Sequence, residues 1–247
     1  MKIIDGKKIS NQIKEEIKVE VDSLKALGKK IPHLAAVIVG EDGASLTYVG
    51  SKVRSCKQVG FNSTLVKLAE SITENELLDE ISKLNDNDSI DGFIVQLPLP
   101  KHIDEQKCFN AIALNKDVDG VSTNGYGNMA MGLEAFKSCT PFGIMRLLNE
   151  YKIDCSGKLA LVIGRSQILG KPMSALLLNA DATVITAHSK TINLDKLLAE
   201  ADIVVAAVGK PKFIDCKKLK KSSVLIDAGY HPAEKCGDVD MEGIEDI

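Results

Sequence analysis

Apolar and polar positions alternate along this chain in patterns that predict strands and helices in turn. Short apolar runs bounded by proline or glycine, such as residues 34–39, are typical of buried strands. Apolar residues spaced three and four apart over residues 10–27 predict an amphipathic helix, which Gly28 is expected to end. Between residues 34 and 97 the predicted order is strand, helix, strand, helix, strand. This order indicates a parallel sheet covered by helices.

The same alternation returns in the second half of the chain. In the first half, strands are predicted at residues 34–39, 64–68 and 92–97, and helices at 10–27 and 43–59. A third helix is predicted after Thr73, because Thr73 and Glu76 have the spacing of a capping box. In the second half, Thr140 and Pro141 are expected to start a helix, and helices at 171–179 and 194–199 alternate with strands at 159–163, 183–186, 203–207 and 224–227.

These patterns predict an α/β protein of two domains, with parallel sheets flanking a cleft. A chain of 247 residues is long enough for two modest domains. We expect the first domain at residues 1–118, a Gly- and Met-rich linker at 119–139 and the second domain at 140–247. The carboxyl ends of parallel strands are where such folds bind ligands, so the cleft between the domains is the expected site.

Composition and charge narrow the function classes. With 31 Lys and Arg against 34 Asp and Glu, the net charge is -3, which offers no attraction for nucleic acid or an anionic membrane. Aromatic residues make up only 4% and Trp is absent, which disfavours a stacking platform for single strands. We therefore expect a small-molecule substrate, with neither nucleic acid nor membrane as a partner.

Targeting and cysteine patterns favour the cytoplasm. The first ten residues, MKIIDGKKIS, lack the apolar stretch of a signal peptide, and the longest apolar runs are far shorter than a membrane span. The six cysteines are scattered, without a CxxC pair or a Cys/His cluster of zinc spacing. We expect reduced, mostly buried thiols and no metal site.

Two glycines bracket the turn after the strand predicted at residues 159–163. Gly164 and Gly170 would let the backbone approach a phosphate, and the following helix offers unpaired N–H groups at its positive end. The turn is neither a GxGxxG motif nor a P-loop. A βα turn that simply needs two glycines would have the same spacing, so this pattern alone leaves both interpretations open.

The end of the next strand favours NADP over NAD. Folds that bind NAD usually carry an acidic residue about 20 residues after the glycines, to hold the ribose 2′-hydroxyl. Here residues 186–190, Thr-Ala-His-Ser-Lys, contain no carboxylate. Arg165, Ser189 and Lys190 would instead complement a 2′-phosphate. His188 by itself is more typical of a structural histidine than of a catalyst.

Three segments of the first half carry candidate reactive groups. Ser45, Tyr48 and Lys52 share one face of the helix predicted at residues 43–59. Gln96 lies at the end of a buried strand, and Asp119 lies in the charged turn 116–120. Each also has a plain structural interpretation: a solvated lysine with a tyrosine over its stem, a structural amide, and a polar turn closed by glycine.

Taken together, these segments resemble the bifunctional methylenetetrahydrofolate dehydrogenase/cyclohydrolase family of the FolD type. They occur in the family's order and spacing from about residue 40 to residue 240. The matching segments are Tyr48-Val49-x-x-Lys52, Asp91-Gly92-x-x-Val95-Gln96-Leu97-Pro98-Leu99-Pro100, Lys116-Asp117-Val118-Asp119-Gly120, Thr140-Pro141-x-Gly143, Gly157-Lys158, Gly164-Arg165-Ser166-x-x-x-Gly170-x-Pro172, Ala182-Thr183-Val184, His188-Ser189-Lys190-Thr191 and Gly237-Asp238-Val239-Asp240.

The resemblance implies two reactions. NADP would oxidise 5,10-methylenetetrahydrofolate to the 5,10-methenyl form, and water would then open that cation to 10-formyltetrahydrofolate. The first domain would be the catalytic, folate-binding one and the second a Rossmann-like NADP-binding domain. The family also implies a homodimer that serves one-carbon metabolism and, through it, purine and amino-acid biosynthesis.

The resemblance also implies residue roles. Lys52 would transfer the proton, held by Gln96, while Tyr48 stacks on the aminobenzoyl ring and Asp119 grips the pterin N–H groups. A cationic substrate beside Lys52 would favour the neutral amine that can accept a proton. The remaining site residues implied are Ser45, Leu97 and Pro98 for substrate, and Gly164, Arg165, Ser166, Gly170 and Ser189 for the cofactor.

The chain departs from the family pattern in two places. Residues 121–127, Val-Ser-Thr-Asn-Gly-Tyr-Gly, replace the family's Phe-His and its Asn-x-Gly, so we assign no role to Ser122 or Asn124. The family's PGGVGP loop and terminal helix do not follow Asp240 in this sequence. The alternatives are a non-catalytic or monofunctional folate- or nucleotide-binding relative, a dehydrogenase for another metabolite, and a structural scaffold.

Overall fold

The computed structural model describes residues 2–41 and 43–244, which form two compact units. The first unit comprises Asp5–Asn128 and Glu134–Lys137, and the second comprises residues 2–4, Met129–Leu133 and 138–244. Each unit is built on a parallel sheet with helices. The predicted α/β class with parallel sheets is therefore confirmed.

The first unit has a sheet of three parallel strands in the order β2-β1-β3. Its strands are β1 (His33–Val39), β2 (Asn62–Leu68) and β3 (Gly92–Val95). Its helices are α1 (Gly6–Ala26), α2 (Gly43–Val59), α3 (Glu74–Asp86), α4 (Glu105–Asn110) and all but the last two residues of α5 (Thr123–Ala130), with a short 3-10 turn at Leu114–Lys116.

The sheet of the first unit is covered by helices on both faces. On one face, Leu77 and Ile81 of α3 pack with Phe93 of β3, and all three are fully buried. On the other face, Val49 of α2 packs with Ile94. Because this contact fixes α2 on the sheet, it also fixes the direction in which the polar side of α2 points.

The second unit has a sheet of four parallel strands in the order β5-β4-β6-β8. Its strands are β4 (Leu159–Ile163), β5 (Thr183–Ala187), β6 (Ile203–Ala206), β7 (Ile214–Asp215), β8 (Val224–Asp227) and β9 (Val239–Asp240), of which β7 and β9 form a separate small pair. Its helices are α6 (Cys139–Glu150), α7 (Gly170–Asn179) and α8 (Leu194–Glu200), with a 3-10 turn at Cys216–Lys218.

Some predicted boundaries are wrong. Helix α6 begins at Cys139 with Ser138 as its N-cap, so Thr140 and Pro141 lie inside the first turn rather than before it. Proline is tolerated there because the N–H groups of a first turn have no partner within the helix. Strand β3 ends at Val95, before Gln96. Helix α5 lies within the segment 119–139, whose assignment as a linker stays a prediction.

All six cysteines are free thiols, and Cys56, Cys108, Cys155 and Cys216 are buried. Burial raises the pKa of Cys108 to about 11, so this thiol stays protonated at neutral pH. Within residues 2–41 and 43–244, no three His, Cys, Asp or Glu side chains are grouped as a metal site would require. In the same part of the chain, no helix has the length and apolar character needed to cross a membrane.

The start of α3 has the capping box that its sequence predicts. The hydroxyl of Thr73 accepts the Glu76 N–H at 3.3 Å, and the Glu76 carboxylate accepts the Thr73 N–H at 2.8 Å. Hydrogen bonds from the Thr73 backbone and hydroxyl hold the pKa of Glu76 below its usual value. The box thus satisfies N–H groups that the helix itself cannot pair.

We expect Thr73→Ala to lower the free energy of unfolding by about 1 kcal/mol, the typical effect of losing a capping hydroxyl. Denaturant unfolding followed by circular dichroism measures the change. Ser71→Ala is the matched control, since Ser71 is exposed two residues earlier in the same turn. Equal stability of the two variants would contradict the assigned role of the Thr73 hydroxyl.

Candidate functional site

Helix α2 presents the three polar residues that share its face. Ser45 is 5% exposed, Lys52 is half-buried and Tyr48 is 63% exposed. Val49, on the same helix, is buried against the sheet, and Val53 packs beside it. The residues flanking Lys52 are thereby anchored, which places its stem at the edge of the core with the amine beyond it.

Gln96 meets Lys52 where strand β3 ends. The Gln96 backbone N–H still donates to the Val37 carbonyl at 2.9 Å, which extends the ladder with β1 by one bond. The Lys52 Nζ donates to the Gln96 Oε1 at 3.4 Å. Two residues on separate elements are thus brought together as the resemblance implies.

The carbonyl of Leu97 ties this pair to Ser45. It accepts the Gln96 Nε2 at 2.8 Å and the Ser45 hydroxyl at 3.1 Å. The peptide bond between Leu97 and Pro98 is cis, and Pro98 is exposed while Leu97 is half-buried. Ser45, Lys52, Gln96 and Leu97 therefore form one hydrogen-bonded group, which we call the lysine–glutamine group. Because both ends of the Gln96 carboxamide are bonded, its oxygen is held toward the amine.

Two charged residues of the turn 116–120 are structural. The Lys116 amine, 7% exposed, donates to the carbonyls of Leu84 and Asn87 at 3.0 and 2.8 Å, at the C-terminal end of α3. The Asp117 carboxylate, 1% exposed, accepts the N–H groups of Val121 and Ser122 at 3.1 and 2.9 Å. These bonds fix the turn from both sides, a function that its sequence does not reveal.

Asp119 differs from its neighbours in this turn. It is half-buried, and no hydrogen bond or ion pair to its carboxylate is found within residues 2–41 and 43–244. The adjacent Val118 packs on the same apolar cluster as Val53, the residue next to Lys52. Asp119 and the lysine–glutamine group therefore lie on segments that share one side of the sheet. Neither Asp119 nor Tyr48 is part of that group's hydrogen bonds.

The glycine turn of the second unit is tightly packed. Gly164 has a φ of +132°, and a Cβ there would lie 2.1 Å from the Ala207 carbonyl oxygen. A Cβ at Gly170 would lie 2.3 Å from the Gly164 carbonyl oxygen. The Ser166 hydroxyl accepts the Gly170 N–H at 3.2 Å, at the start of α7. Both glycines are thus required for the backbone to fold back on itself between β4 and α7.

The side chains expected to hold a 2′-phosphate emerge at one edge of this sheet. Ile163 of β4 pairs with Ala187 of β5, so Arg165 and Ser189 each follow by two residues at the carboxyl ends of adjacent strands. Both are exposed, as is Lys190. Among the described residues, no carboxylate pairs with the Arg165 guanidinium. An exposed guanidinium and hydroxyl beside the start of helix α7 fit an anionic dinucleotide.

His188 has a structural role in this turn. Its backbone N–H donates to the Thr191 hydroxyl at 2.8 Å, and its Nδ1 accepts the Lys190 N–H at 3.2 Å. These two bonds shape the turn that carries Ser189. The observation agrees with the structural interpretation of this histidine.

A further hydrogen-bonded group, for which the sequence predicts no role, surrounds Asp238 in the second unit. Asp238 is fully buried and bonded to three backbone N–H groups and to His231. Asp227 in turn accepts the N–H groups of Asp238 and Val239. The available signal was a charged residue directly after Gly237 and before the two-residue strand β9, but the partners lie up to 30 residues away.

Comparison with known proteins gives two matches that together cover most of the chain. The catalytic-domain model of tetrahydrofolate dehydrogenase/cyclohydrolase matches residues 4–119. The NAD(P)-binding-domain model of the same family matches residues 138–247. The bifunctional protein FolD of Flavobacterium johnsoniae is 52% identical over 99% of this chain and 87% of that protein.

Solved structures show the same likeness. The bifunctional enzyme FolD, methylenetetrahydrofolate dehydrogenase/cyclohydrolase, of Campylobacter jejuni is 42% identical with a TM-score of 0.96, covering 100% of this chain and 88% of that one. The corresponding Trypanosoma brucei enzyme, in complex with NADP cofactor and inhibitor, is 30% identical with a TM-score of 0.90, covering 98% of this chain and 86% of that one.

The two aspartates of the turn 116–120 offer a test of which carboxylate is structural. We expect Asp117→Asn to lower the free energy of unfolding by about 2 kcal/mol, since it weakens two hydrogen bonds to a buried charge. We expect Asp119→Asn to change that free energy by less than about 0.5 kcal/mol. Chemical denaturation of both variants measures the difference. The opposite order of stability would show that the two roles are reversed.

Proposed function

Because the chain belongs to the tetrahydrofolate dehydrogenase/cyclohydrolase family, we infer that it is a bifunctional enzyme of folate one-carbon chemistry. It oxidises 5,10-methylenetetrahydrofolate to the 5,10-methenyl form with a nicotinamide cofactor, and it hydrolyses that product to 10-formyltetrahydrofolate. The observation that carries this function is the contact of the Lys52 amine with the Gln96 carboxamide at 3.4 Å. No observation favours the non-catalytic alternative.

The oxidation requires few reactive side chains. Hydride leaves a carbon flanked by two nitrogens, whose lone pairs stabilise the developing cation. NADP, when bound, supplies the hydride acceptor. We assign Gly164, Gly170 and Ser166 to the phosphate-binding turn, and Arg165 and Ser189 to the 2′-phosphate. Their work is binding and orientation rather than proton transfer.

The hydrolysis needs a group that can carry a proton. Water attacks the methenyl carbon and must lose a proton, and a ring nitrogen later gains one. We assign the Lys52 amine to take that proton, which makes it the general base of the step and then the source of the returned proton. Gln96 holds the amine in place, because its own carboxamide is fixed through the Leu97 carbonyl that Ser45 also binds.

The remaining first-unit residues are assigned to the substrate. The exposed ring of Tyr48 offers a face on which the aminobenzoyl ring can stack. The unbonded carboxylate of Asp119 offers two acceptors to the paired N–H donors of a pterin. Leu97 and Pro98, directly after Gln96, would contact the same substrate. Each assignment is supported by a side chain that has no structural bond to satisfy or by one that adjoins Gln96.

We assign the folate chemistry to residues 1–118 and nucleotide binding to residues 140–247, joined by 119–139.

We further propose a cytoplasmic homodimer that pairs through its nucleotide-binding domain, with a product that feeds purine and amino-acid biosynthesis. The edge position of β5, whose Thr183 and Thr186 are exposed, supports pairing through this domain. Size-exclusion chromatography with light scattering tests the dimer directly.

We expect Lys52→Met to lower the cyclohydrolase rate by about 100-fold or more, since a positioned general base typically contributes that much. Folate binding survives, and oxidation with NADP leaves the methenyl product to accumulate. Absorbance of the methenyl cation and of reduced nicotinamide, recorded together, follows both reactions. Lys57→Met is the matched control on the exposed side of α2 and should keep both activities. Near-normal hydrolysis by Lys52→Met would exclude Lys52 as the proton carrier.

Arg165→Ala tests the preference for NADP. Losing charge-assisted hydrogen bonds worth about 1.5–3 kcal/mol should raise the KM for NADP by about 10- to 100-fold. The KM for NAD, which lacks the 2′-phosphate, should change far less, so NAD is the control within the same variant. Steady-state rates with each cofactor measure both constants. An equal loss with both cofactors, or no loss with NADP, would overturn the assignment.

A further inference from the structure

Asp238 is a buried carboxylate with an unusual number of backbone partners. Its oxygens accept three consecutive N–H groups, of Val208 at 2.5 Å, Gly209 at 2.9 Å and Lys210 at 3.0 Å. The Nε2 of His231 donates to it at 2.8 Å. Successive backbone N–H groups that converge in this way make a site for an anion, which here is a side chain of the same protein.

The carboxylate of Asp238 is charged at neutral pH. Complete burial opposes its ionisation, but the hydrogen bonds from His231 and from the three backbone N–H groups outweigh that effect and hold the pKa of Asp238 below its usual value. The N–H groups of residues 208–210 therefore donate to a charged carboxylate, and these hydrogen bonds are stronger than bonds to a neutral acceptor.

Asp238 itself is held by a second carboxylate. Asp227, at the end of β8, accepts the N–H of Asp238 at 3.0 Å and that of Gly229 at 2.9 Å. The two glycines beside these groups make this close approach possible. A Cβ at Gly229 would lie 2.4 Å from the Asp238 Cγ, and one at Gly237 would lie 2.0 Å from the Asp227 Oδ2.

The segment that Asp238 holds lies against the glycine turn. Residues 208–210 directly follow Ala207, whose N–H donates to the Ile163 carbonyl at 2.8 Å. The Ala207 carbonyl oxygen would be 2.1 Å from a Cβ at Gly164. A displacement of residues 208–210 would therefore move the backbone against which Gly164 packs. Gly164 directly precedes Arg165.

We propose that Asp238 is a positioning residue for the nicotinamide cofactor. It fixes the backbone of 208–210, this backbone supports the Gly164 turn, and the turn presents its N–H groups and Arg165 to the cofactor. The inference rests on the proposed function and adds a residue to it. Asp238 therefore determines cofactor affinity through another segment, whereas the lysine–glutamine group of the first unit stays unaffected.

Asp238→Asn is the direct test, because the amide keeps the volume but loses the charge and one acceptor. We expect the KM for NADP to rise by about 10-fold, the effect of losing roughly one charge-assisted bond. The KM for the folate substrate and the hydrolysis of methenyltetrahydrofolate supplied directly should stay at wild-type values. A wild-type KM for NADP, or a parallel loss of both reactions, would overturn the proposal.

Asp202→Asn is the matched control at the other end of the same sheet. The Asp202 carboxylate accepts the Leu159 N–H at 3.0 Å and the Lys220 amine at 2.6 Å, at the start of β4. This variant should lose stability while the KM for NADP stays unchanged. If Asp202→Asn weakens NADP as much as Asp238→Asn does, the effect is general destabilisation and the proposal fails.

A second pair of variants tests the proposal if Asp238→Asn does not fold. His231→Gln keeps a donor toward Asp238, whereas His231→Leu removes it. We expect NADP affinity, measured by calorimetry, to fall in the leucine variant and to be largely retained in the glutamine variant. Equal affinity in both would overturn the proposal.

Wild-type protein that binds NADP without turnover would refute the proposed function alone, and wild-type protein that binds no NADP would refute both.

Discussion

The parallel pairing of strands is the constraint on which the rest of this structure depends. Parallel strands carry their carboxyl ends to one edge of a sheet, so whatever follows each strand is delivered to the same place. Gln96 follows β3 in this way, and Arg165 and Ser189 follow β4 and β5. Each unit thereby collects side chains that are distant in sequence.

Buried charges then fix the loops at those edges. Lys116 and Asp117 hold the turn that carries Asp119, and Asp238 holds the segment beside Gly164. In each case a charged side chain bonds to backbone groups in a loop or at the end of a helix. Neighbouring residues of the same type consequently differ: Asp117 supports the turn, while the described residues offer the Asp119 carboxylate no hydrogen bond or ion pair.

Much of the fold follows from local pattern, and what does not follow depends on distant contacts. The strands at 159–163 and 224–227 and the helix at 43–59 match their predicted bounds because clear apolar runs and breakers delimit them. The six-residue α4 and the two-residue β7 are too short to show a period. The turn 116–120 is bonded to Ser122 directly before α5 begins. Helix α5 itself lies in a Gly-rich stretch whose sequence does not predict a helix. The contact of Lys52 with Gln96 was expected from the family resemblance, whereas the burial of Asp238 depends on backbone donors 28 to 30 residues away.

The exclusion of any side chain at Gly164 separates two kinds of position in the turn between β4 and α7. The backbone path there is locked by its own packing against Ala207, so it tolerates no variation. Arg165 and Ser189 are exposed, and the described residues offer their side chains no hydrogen-bonding partner, so their replacement would leave the interior untouched. With the roles proposed for Arg165 and Ser189, exchanging these two surface side chains would change selectivity between phosphorylated and unphosphorylated cofactors without altering the backbone frame.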